Sequence, residues 1–387
     1  MVTKDSIESV WNSSDITELR RALSSGEKPA ACHHCWHKEN LGLTSHRQNM
    51  IQEQQRGHRG LSGLLAGDTV ASPEPTSITV RFGNVCNLKC RICGPNASSK
   101  WVDEHNHYYS EDWTGDKVRY HASFGNNIGR SHVTNWPNDN QRFWDEFRTM
   151  LPHLQDVMFS GGEPFMVPKQ RAMLTECALS NHAAHIDINF HTNGTLLDDE
   201  LLTDILPRFR TVTMIFSIDG TGAQFEYMRH PSDWSVVDRN LRRCVSAWNS
   251  PGGPQGNIAV NCTVSAMNVL YLHDYGRYFD DIGITAGLNH LHGGPGMKYT
   301  YLPAQIRRVI ADHLARKQQR QPVSSYQWGI SYDEVVHSLR LPPAGADGET
   351  TDWFVKATRR MDNYRGEDFA AVFPEMADLV GYRKHLD

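Results

Sequence analysis

Three cysteines within a short stretch constrain this sequence more than any other feature. Cys86, Cys90 and Cys93 have the spacing C-x3-C-x2-C and directly follow an apolar run at 78–82. Closely spaced thiolates on a loop that leaves a strand can bind three irons of a [4Fe–4S] cluster, which leaves the fourth iron without a protein ligand. Half of a zinc site and unrelated core cysteines are the alternatives, but structural zinc sites usually pair two separate C-x2-C turns. The spacing therefore favours a cluster with one open iron.

Apolar runs alternate with helical patterns from residue 77 onward. We predict strands at 77–82, 156–160, 185–191, 211–217, 257–264 and 283–291, and helices at 167–180, 198–209, 235–248 and 269–280. Six strands separated by helices predict an α/β fold with a parallel sheet of right-handed βα units, closed short of eight strands as a partial (β/α)6 TIM-like barrel. Active sites of such sheets lie at the carboxyl ends of the strands. The three-cysteine loop follows such an end.

The predicted barrel divides the chain into three parts. Residues 1–76 form an N-terminal arm that contains Cys32 and Cys35 and ends in a polar linker. Residues 77–291 form the core, with an aromatic-rich insertion at 101–142, and residues 292–387 form a small C-terminal unit. A long insertion on the active-site side is predicted to be a substrate lid or an exposed decoration.

Composition excludes several classes of function. The chain has 387 residues, 39% of them hydrophobic and 21% charged, which is typical of a globular protein. A net charge of −5 gives no general attraction to nucleic acids or anionic membranes, so we expect neither as a partner. The N-terminus lacks a signal-peptide pattern and no run of 18 apolar residues occurs, so we expect a cytoplasmic protein. Clustered cysteines there favour metal binding over disulfides.

The C-x3-C-x2-C motif, with Ile92 before its last cysteine, resembles the signature of the radical S-adenosylmethionine (SAM) superfamily. The resemblance implies that SAM chelates the open iron through its amino and carboxylate groups. It also implies that the cluster donates one electron to the sulfonium, and that the resulting 5′-deoxyadenosyl radical abstracts hydrogen from a substrate. A reductant of the flavodoxin or ferredoxin type is then a partner.

A second motif, Gly161-Gly162-Glu163, follows the second predicted strand. Paired glycines let backbone groups approach a ligand closely, although a plain tight turn is the alternative. The turn is similar to the superfamily motif that holds the methionine amino group of SAM. Asn193, after the third strand, occupies the place where relatives present polar groups to the ribose and methionine.

Ser217, Asp219 and Arg229 resemble the fourth-strand S-x-D-G…R pattern of the superfamily. The resemblance implies that Ser217 binds the ribose or carboxylate side of SAM and that Arg229 pairs with its carboxylate in a bidentate contact. Asp219 could instead cap a helix N-terminus, and Arg229 could form a surface ion pair.

The C-x2-C turn of Cys32 and Cys35 can direct two thiolates at one ion or cluster. It resembles the Cys-rich segment of the SPASM/twitch branch, which binds an auxiliary iron–sulfur cluster. It departs from that branch because it precedes the core and has two cysteines. Cys177, Cys244, Cys262 or the neighbouring histidines would supply the remaining ligands. A zinc site and a metal-free turn are the alternatives.

Cys262, in the fifth predicted strand, carries three interpretations. Free cysteines in strands are commonly buried core residues. Cys262 could also ligate the second cluster, or return a hydrogen atom to the substrate as a cysteine does in some peptide epimerases.

The whole pattern predicts a SPASM/twitch-like radical SAM enzyme in which a twitch-like C-terminal unit helps to close the barrel. Its expected substrate is a peptide or protein side chain, changed by epimerisation, crosslinking or oxidation. The same chemistry on a small metabolite is one alternative, because the arm is too short for the winged-helix leader-recognition module of many peptide modifiers. A non-catalytic iron–sulfur binding protein is the other.

Overall fold

The computed structural model describes residues 6–40, 45, 47–48, 51, 75–110, 133–291, 295–342 and 349–385. Its centre is a sheet of seven parallel strands, each paired with the next strand along the chain. The strands are β1 Ser77–Arg81, β2 Asp156–Ser160, β3 Asp187–Thr192, β4 Thr211–Ser217, β5 Gly256–Val264, β6 Thr285–His290 and β7 Tyr326–Gly329.

Helices surround this sheet and continue at both ends of the chain. Before β2 lie α1 Ile7–Trp11, α2 Ser14–Ser24, α3 His33–Asn40, α4 Trp101–Ser110, α5 Trp136–Asp139 and α6 Gln141–Met150. Between the strands lie α7 Pro168–Leu179, α8 Ala223–Met228, α9 Trp234–Trp248, α10 Leu272–Asp281 and α11 Ala304–Arg320. After β7 lie α12 Tyr332–Arg340, α13 Glu349–Arg365, α14 Phe369–Val372 and α15 Pro374–Leu379. No helix of these described ranges is long and apolar enough to cross a membrane.

The two faces of the sheet differ in burial. Along β4, Val212, Met214 and Phe216 are fully buried beneath the helices, whereas the alternate residues are partly exposed on the inner face. This alternation follows from the two-residue period of a strand. The outer face therefore forms the apolar core, and the inner face is left to line a cavity.

The partial barrel of parallel strands predicted from the sequence is confirmed, but it has seven strands rather than six. The missed strand β7 has four residues and a polar Gln327, too short for a recognisable alternation. It pairs with β6, and the indole of Trp328 lies so close to Gly287 that a Cβ there would meet the ring at 2.2 Å. The sheet thus extends into the segment predicted as the C-terminal unit.

The predicted insertion begins with a buried helix, α4. Trp101 and Tyr108 are almost fully buried, and Glu104 forms an ion pair with Arg365 of α13 at 3.0 Å. Helix α4 therefore packs its buried face against the core and is not an exposed decoration. Residues 111–132 of the insertion predicted as a lid lie outside the described residues, as does most of the predicted linker.

Candidate active site

A cavity of about 590 Å³ lies on the inner face, at the carboxyl ends of the strands. This is the place at which parallel α/β sheets hold ligands. Eight of the residues predicted from the sequence line it: Cys86, Cys90, Cys93, Gly161, Gly162, Asn193, Ser217 and Arg229. Residues more than 140 positions apart therefore meet at one site.

The three-cysteine loop is held from several sides. The indole of Trp101 donates to the Cys90 carbonyl at 2.8 Å, and the amide N–H of Arg91 donates to the Met228 carbonyl at 2.7 Å. The hydroxyl of Ser98 donates to the carbonyl of Leu88 within the loop. Because these bonds satisfy its backbone groups, the loop can present its sulfur atoms to the cavity.

Arg91 anchors this loop to the C-terminal helices, and the sequence analysis did not find it. Its guanidinium is fully buried, pairs with Asp362 at 2.5 Å and with Glu367, and lies 3.6 Å from the centre of the Tyr227 ring. Glu367 also contacts His230 Nδ1 at 2.6 Å. Since 271 residues separate Arg91 from Asp362, no local pattern could have revealed the pair. The C-terminal unit thus packs directly on the cysteine loop.

The surroundings of the three thiols suit the binding of a metal centre. Burial raises the pKa of Cys86 to about 12. The Cys93 thiol donates to Cys90, which lowers the pKa of Cys90 and raises that of Cys93. N–H groups point at two of the sulfur atoms: Leu88 N lies 3.5 Å from Cys86 Sγ, and Arg229 Nη1 lies 3.8 Å from Cys90 Sγ. Such donors stabilise the negative charge of metal-bound thiolates.

The chemistry of the donor set fits a [4Fe–4S] cluster. In a [4Fe–4S] cluster each thiolate binds a different iron, so its ligands need not share one point. Three thiols around one cavity, supported by N–H donors, therefore fit a [4Fe–4S] cluster.

The predicted second metal site is not assembled in the described residues. Cys32 ends a 3₁₀ turn, and Cys35 lies in α3; both are partly exposed. Cys177 and Cys244, proposed as further ligands, are buried in α7 and α9, which favours a role in the core.

The Gly161-Gly162-Glu163 turn packs against the residue that precedes Cys86. Gly162 has a φ of +51°, and a Cβ there would lie 2.1 Å from the Val85 carbonyl oxygen. Only glycine allows this approach. Glu163 donates its amide N–H to the same oxygen at 2.8 Å. The turn and the cysteine loop therefore form one unit.

The carboxylate of Glu163 faces the protein interior and not the cavity. It accepts the Thr192 hydroxyl at 2.8 Å and the Asn193 amide N–H at 2.7 Å, and burial raises its pKa to about 7. Asn193 in turn donates from Nδ2 to Asn87 at 2.8 Å, and the same atom lies 3.9 Å from Cys86 Sγ. Glu163 thus positions Asn193 beside the cysteine loop.

Asp219 and Arg229 form a buried ion pair, with Nη2 and Oδ2 2.8 Å apart. Asp219 also accepts the Thr263 amide N–H at 2.9 Å, whereas α8 begins at Ala223 with Gly222 at its N-cap. The alternatives of a helix cap for Asp219 and a surface pair for Arg229 are therefore wrong. Arg229 Nε is buried without a hydrogen-bond partner in the described part of the chain, so an acceptor on a ligand would satisfy it.

Cys262 is fully buried on β5, whereas its neighbours Asn261 and Thr263 line the cavity. Successive side chains of a strand point to opposite faces, so the thiol faces the helices. Its Sγ lies 3.4 Å from Asn268 Nδ2. This placement favours the interpretation of Cys262 as a core residue over that of a hydrogen donor.

Several cavity residues were not singled out in the sequence. Asn289 and His290 end β6; Asn289 donates to Asn261 at 2.6 Å, and His290 Nδ1 lies 3.0 Å from the Tyr299 hydroxyl. His191, the second-last residue of β3 and part of the motif that the sequence places after the third strand, lines the same cavity, and burial lowers its pKa. Their position near the ends of predicted strands is the sequence feature that could have identified them as cavity residues.

The comparisons with known proteins agree with this geometry. Residues 80–250 match the model of the radical SAM superfamily. The chain carries a radical SAM domain. The resemblance inferred from the cysteine spacing and the expected α/β fold are thereby confirmed, and SAM and a [4Fe–4S] cluster are the cofactors that this family implies. None of the curated proteins matches the chain.

Radical SAM proteins of known structure are similar to this chain at low sequence identity. SuiB of Streptococcus suis bound to S-adenosylmethionine is 13% identical, with a TM-score of 0.43, over 77% of this chain and 59% of SuiB. Native anSMEcpe with bound AdoMet is 16% identical, with a TM-score of 0.39, over 67% of this chain and 65% of its own. The chain spans less than two thirds of the length of either protein.

Proposed function

We propose that this radical SAM protein is an enzyme that removes a hydrogen atom from a peptide or protein side chain. The observation that carries the proposal is the meeting of Cys86, Cys90 and Cys93 with the unpartnered Nε of Arg229 at one cavity. Thiolates would hold the cluster, and the guanidinium would donate hydrogen bonds to the carboxylate of SAM. This arrangement lies at the carboxyl ends of parallel strands, where such chemistry is expected.

The cluster, when bound, supplies one electron that cleaves SAM to a 5′-deoxyadenosyl radical, which takes the hydrogen. The chain's own residues bind and orient SAM. The Gly161-Gly162 backbone would contact the methionine amino group, and Asn193, held by Glu163, would contact the ribose and methionine. Ser217, on the inner face of β4, would bind near the ribose or carboxylate.

The size of the cavity supports a substrate that enters by one side chain. Pockets of about 300–1,000 Å³ hold one drug-sized ligand, and SAM is such a ligand. The cavity of about 590 Å³ would have to hold SAM and part of the cluster, so little of it is left for the substrate. A single side chain of a larger substrate, reaching in from the mouth of the cavity, is small enough for the volume that remains. Epimerisation, crosslinking and oxidation are the outcomes open to the radical that it forms.

Cleavage of SAM tests the enzymatic proposal. The protein is reconstituted anaerobically with iron and sulfide, then mixed with SAM and dithionite, and 5′-deoxyadenosine is measured by mass spectrometry. We expect release from the wild type and none from Cys90→Ala. Cys244→Ala is the matched control, because it removes a buried thiol of α9 away from the cavity. Intact SAM in the presence of a fully loaded cluster would favour a non-catalytic iron–sulfur protein.

Iron counting in the wild type and in Cys32→Ala tests the predicted second cluster. We propose that Cys32 and Cys35 contribute to an auxiliary iron–sulfur cluster. The wild type would then bind about eight irons and Cys32→Ala about four. The variant would still release 5′-deoxyadenosine but turn over substrate poorly. Equal iron contents of about four would leave these cysteines to a zinc site or a metal-free turn.

Deuterium transfer tests the substrate class. Extract from cells grown on deuterated medium is separated by size into a macromolecular and a small-molecule fraction, and each is added to the assay. Deuterium in 5′-deoxyadenosine from the macromolecular fraction supports a peptide or protein substrate. Deuterium only from the small-molecule fraction would establish the alternative, a metabolite.

A further inference from the structure

A buried charge pair lies directly against one cluster ligand. Arg229 and Asp219 are 7% and 1% exposed, and their side chains pair at 2.8 Å. Another nitrogen of the same guanidinium, Nη1, lies 3.8 Å from Cys90 Sγ. The positive end of the pair therefore faces the sulfur.

The pair is fixed from both sides. Asp219 Oδ1 accepts the Thr263 amide N–H at 2.9 Å, and the Asp219 carbonyl accepts Asn268 Nδ2 at 2.9 Å. Arg229 follows α8, and its amide N–H donates to the Phe225 carbonyl at 2.8 Å. Neither side chain can move away without leaving a buried charge unpaired. The orientation of the pair toward Cys90 is thus built into the ends of β4, β5 and α8.

We propose that the Arg229–Asp219 pair sets the reduction potential of the cluster held by the cysteine loop, with Arg229 raising the potential and Asp219 lowering it. The inference rests on the proposed function only for the presence of that cluster. Reduction adds one electron, and so one negative charge, to the cluster and its thiolates. A guanidinium beside a ligating sulfur stabilises the added charge, and N–H groups that reach the sulfur act in the same direction. The carboxylate behind it offsets part of this effect.

This role is compatible with a contact to SAM. Nη2 is used by Asp219 and Nη1 by the sulfur, whereas Nε is buried without a partner in the described residues. One guanidinium can therefore serve the thiolate, the carboxylate and a ligand from three different nitrogens. Of the three contacts of Arg229, a reduction potential measured without SAM therefore depends only on those with the Cys90 sulfur and the Asp219 carboxylate.

An EPR-monitored redox titration of the reconstituted protein, without SAM, tests the proposal. Arg229→Gln should make one-electron reduction at least about tenfold less favourable, a downward shift of about 59 mV. Asp219→Asn keeps the shape of the side chain and should shift the potential upward. Opposite shifts are decisive, because a general disturbance of the loop would move both variants in one direction.

A surface pair provides the matched control. Arg242 and Asp238 of α9 pair at 2.9 Å, and the Arg242 side chain is 52% exposed, so Arg242→Gln and Asp238→Asn make the same charge changes in water. Neither should move the potential. If Arg229→Gln does not retain the cluster, Arg229→Lys takes its place. This variant keeps the positive charge but loses the guanidinium N–H groups, so its reduction potential should lie below that of the wild type.

Two results would overturn the inference: shifts of the same sign in the Arg229 and Asp219 variants, or shifts no larger than those of the surface pair. The two proposals fail separately. A cluster with the expected opposite shifts that leaves SAM intact would refute the enzymatic function and keep this inference. A wild-type protein that takes up no cluster would refute both.

Discussion

Gly162 offers a test of how closely the glycine turn and the cysteine loop must approach. Replacing it by alanine has two costs. The left-handed φ of +51° costs a non-glycine residue about 1–2 kcal/mol. The added Cβ would also lie 2.1 Å from the Val85 carbonyl oxygen, and overpacking of this kind typically costs about 1–3 kcal/mol. Together they predict a loss of about 2–5 kcal/mol in the free energy of unfolding.

Gly283, which follows the C-terminus of α10, separates the two costs. Its φ of +68° is also left-handed, but nothing lies within 4 Å of the Cβ that alanine would add. Gly283→Ala should therefore lose only the conformational part, about 1–2 kcal/mol. Urea unfolding of both apoprotein variants, followed by tryptophan fluorescence, measures the difference. Gly162→Ala should also bind less iron after reconstitution, because it displaces the residue before Cys86. Equal unfolding energies and equal iron contents for the two variants would refute the reasoning.

Three further predictions concern single side chains. Asp362→Ala should lower the free energy of unfolding by about 3–5 kcal/mol, because it removes one of the two carboxylates that pair with the buried Arg91 and leaves the buried hydroxyls of Tyr227 and Tyr382 without this acceptor. Arg340→Ala, which breaks an exposed pair at 3.3 Å, should lose less than about 1 kcal/mol in the same urea experiment. Burial raises the pKa of Glu163 to about 7, so the folded protein binds a proton that the unfolded chain releases between about pH 4.5 and 7. Its contribution to stability must therefore fall as the pH rises through this window, by up to about 3 kcal/mol, and Glu163→Gln should abolish that slope when unfolding is measured from pH 5 to 8. Cys262→Ala should leave both 5′-deoxyadenosine release and product formation at the wild-type rate, since its thiol faces the helices. Release of 5′-deoxyadenosine without the wild-type product, in a folded and iron-loaded variant, would restore Cys262 as a hydrogen donor.

Local patterns were sufficient for the parts of the site that lie on consecutive residues. The spacing of Cys86, Cys90 and Cys93 and the Gly161-Gly162 turn were visible in the sequence because each is one loop after one strand. The structure brings these loops together since parallel strands end at the same edge.

Contacts between distant segments could not be predicted in this way. Arg91 meets Asp362 and Glu367 across more than 270 residues, and nothing near Arg91 distinguishes it from a surface arginine. Glu163 was expected at the ligand, but its carboxylate satisfies the Asn193 amide, a choice that only the packing of β3 against the turn determines. The strand β7 was missed for a different reason, since four residues are too few to show a period of two.

Mössbauer spectroscopy of the protein reconstituted with ⁵⁷Fe tests the central claim most directly. If only Cys86, Cys90 and Cys93 ligate this cluster, one of its irons lacks a thiolate, and adding SAM should change the signal of that iron while leaving the others nearly unchanged. The Cys32→Ala variant, measured in the same way, keeps an auxiliary cluster from contributing. A spectrum of equivalent irons that does not respond to SAM would show a closed cluster and contradict the account.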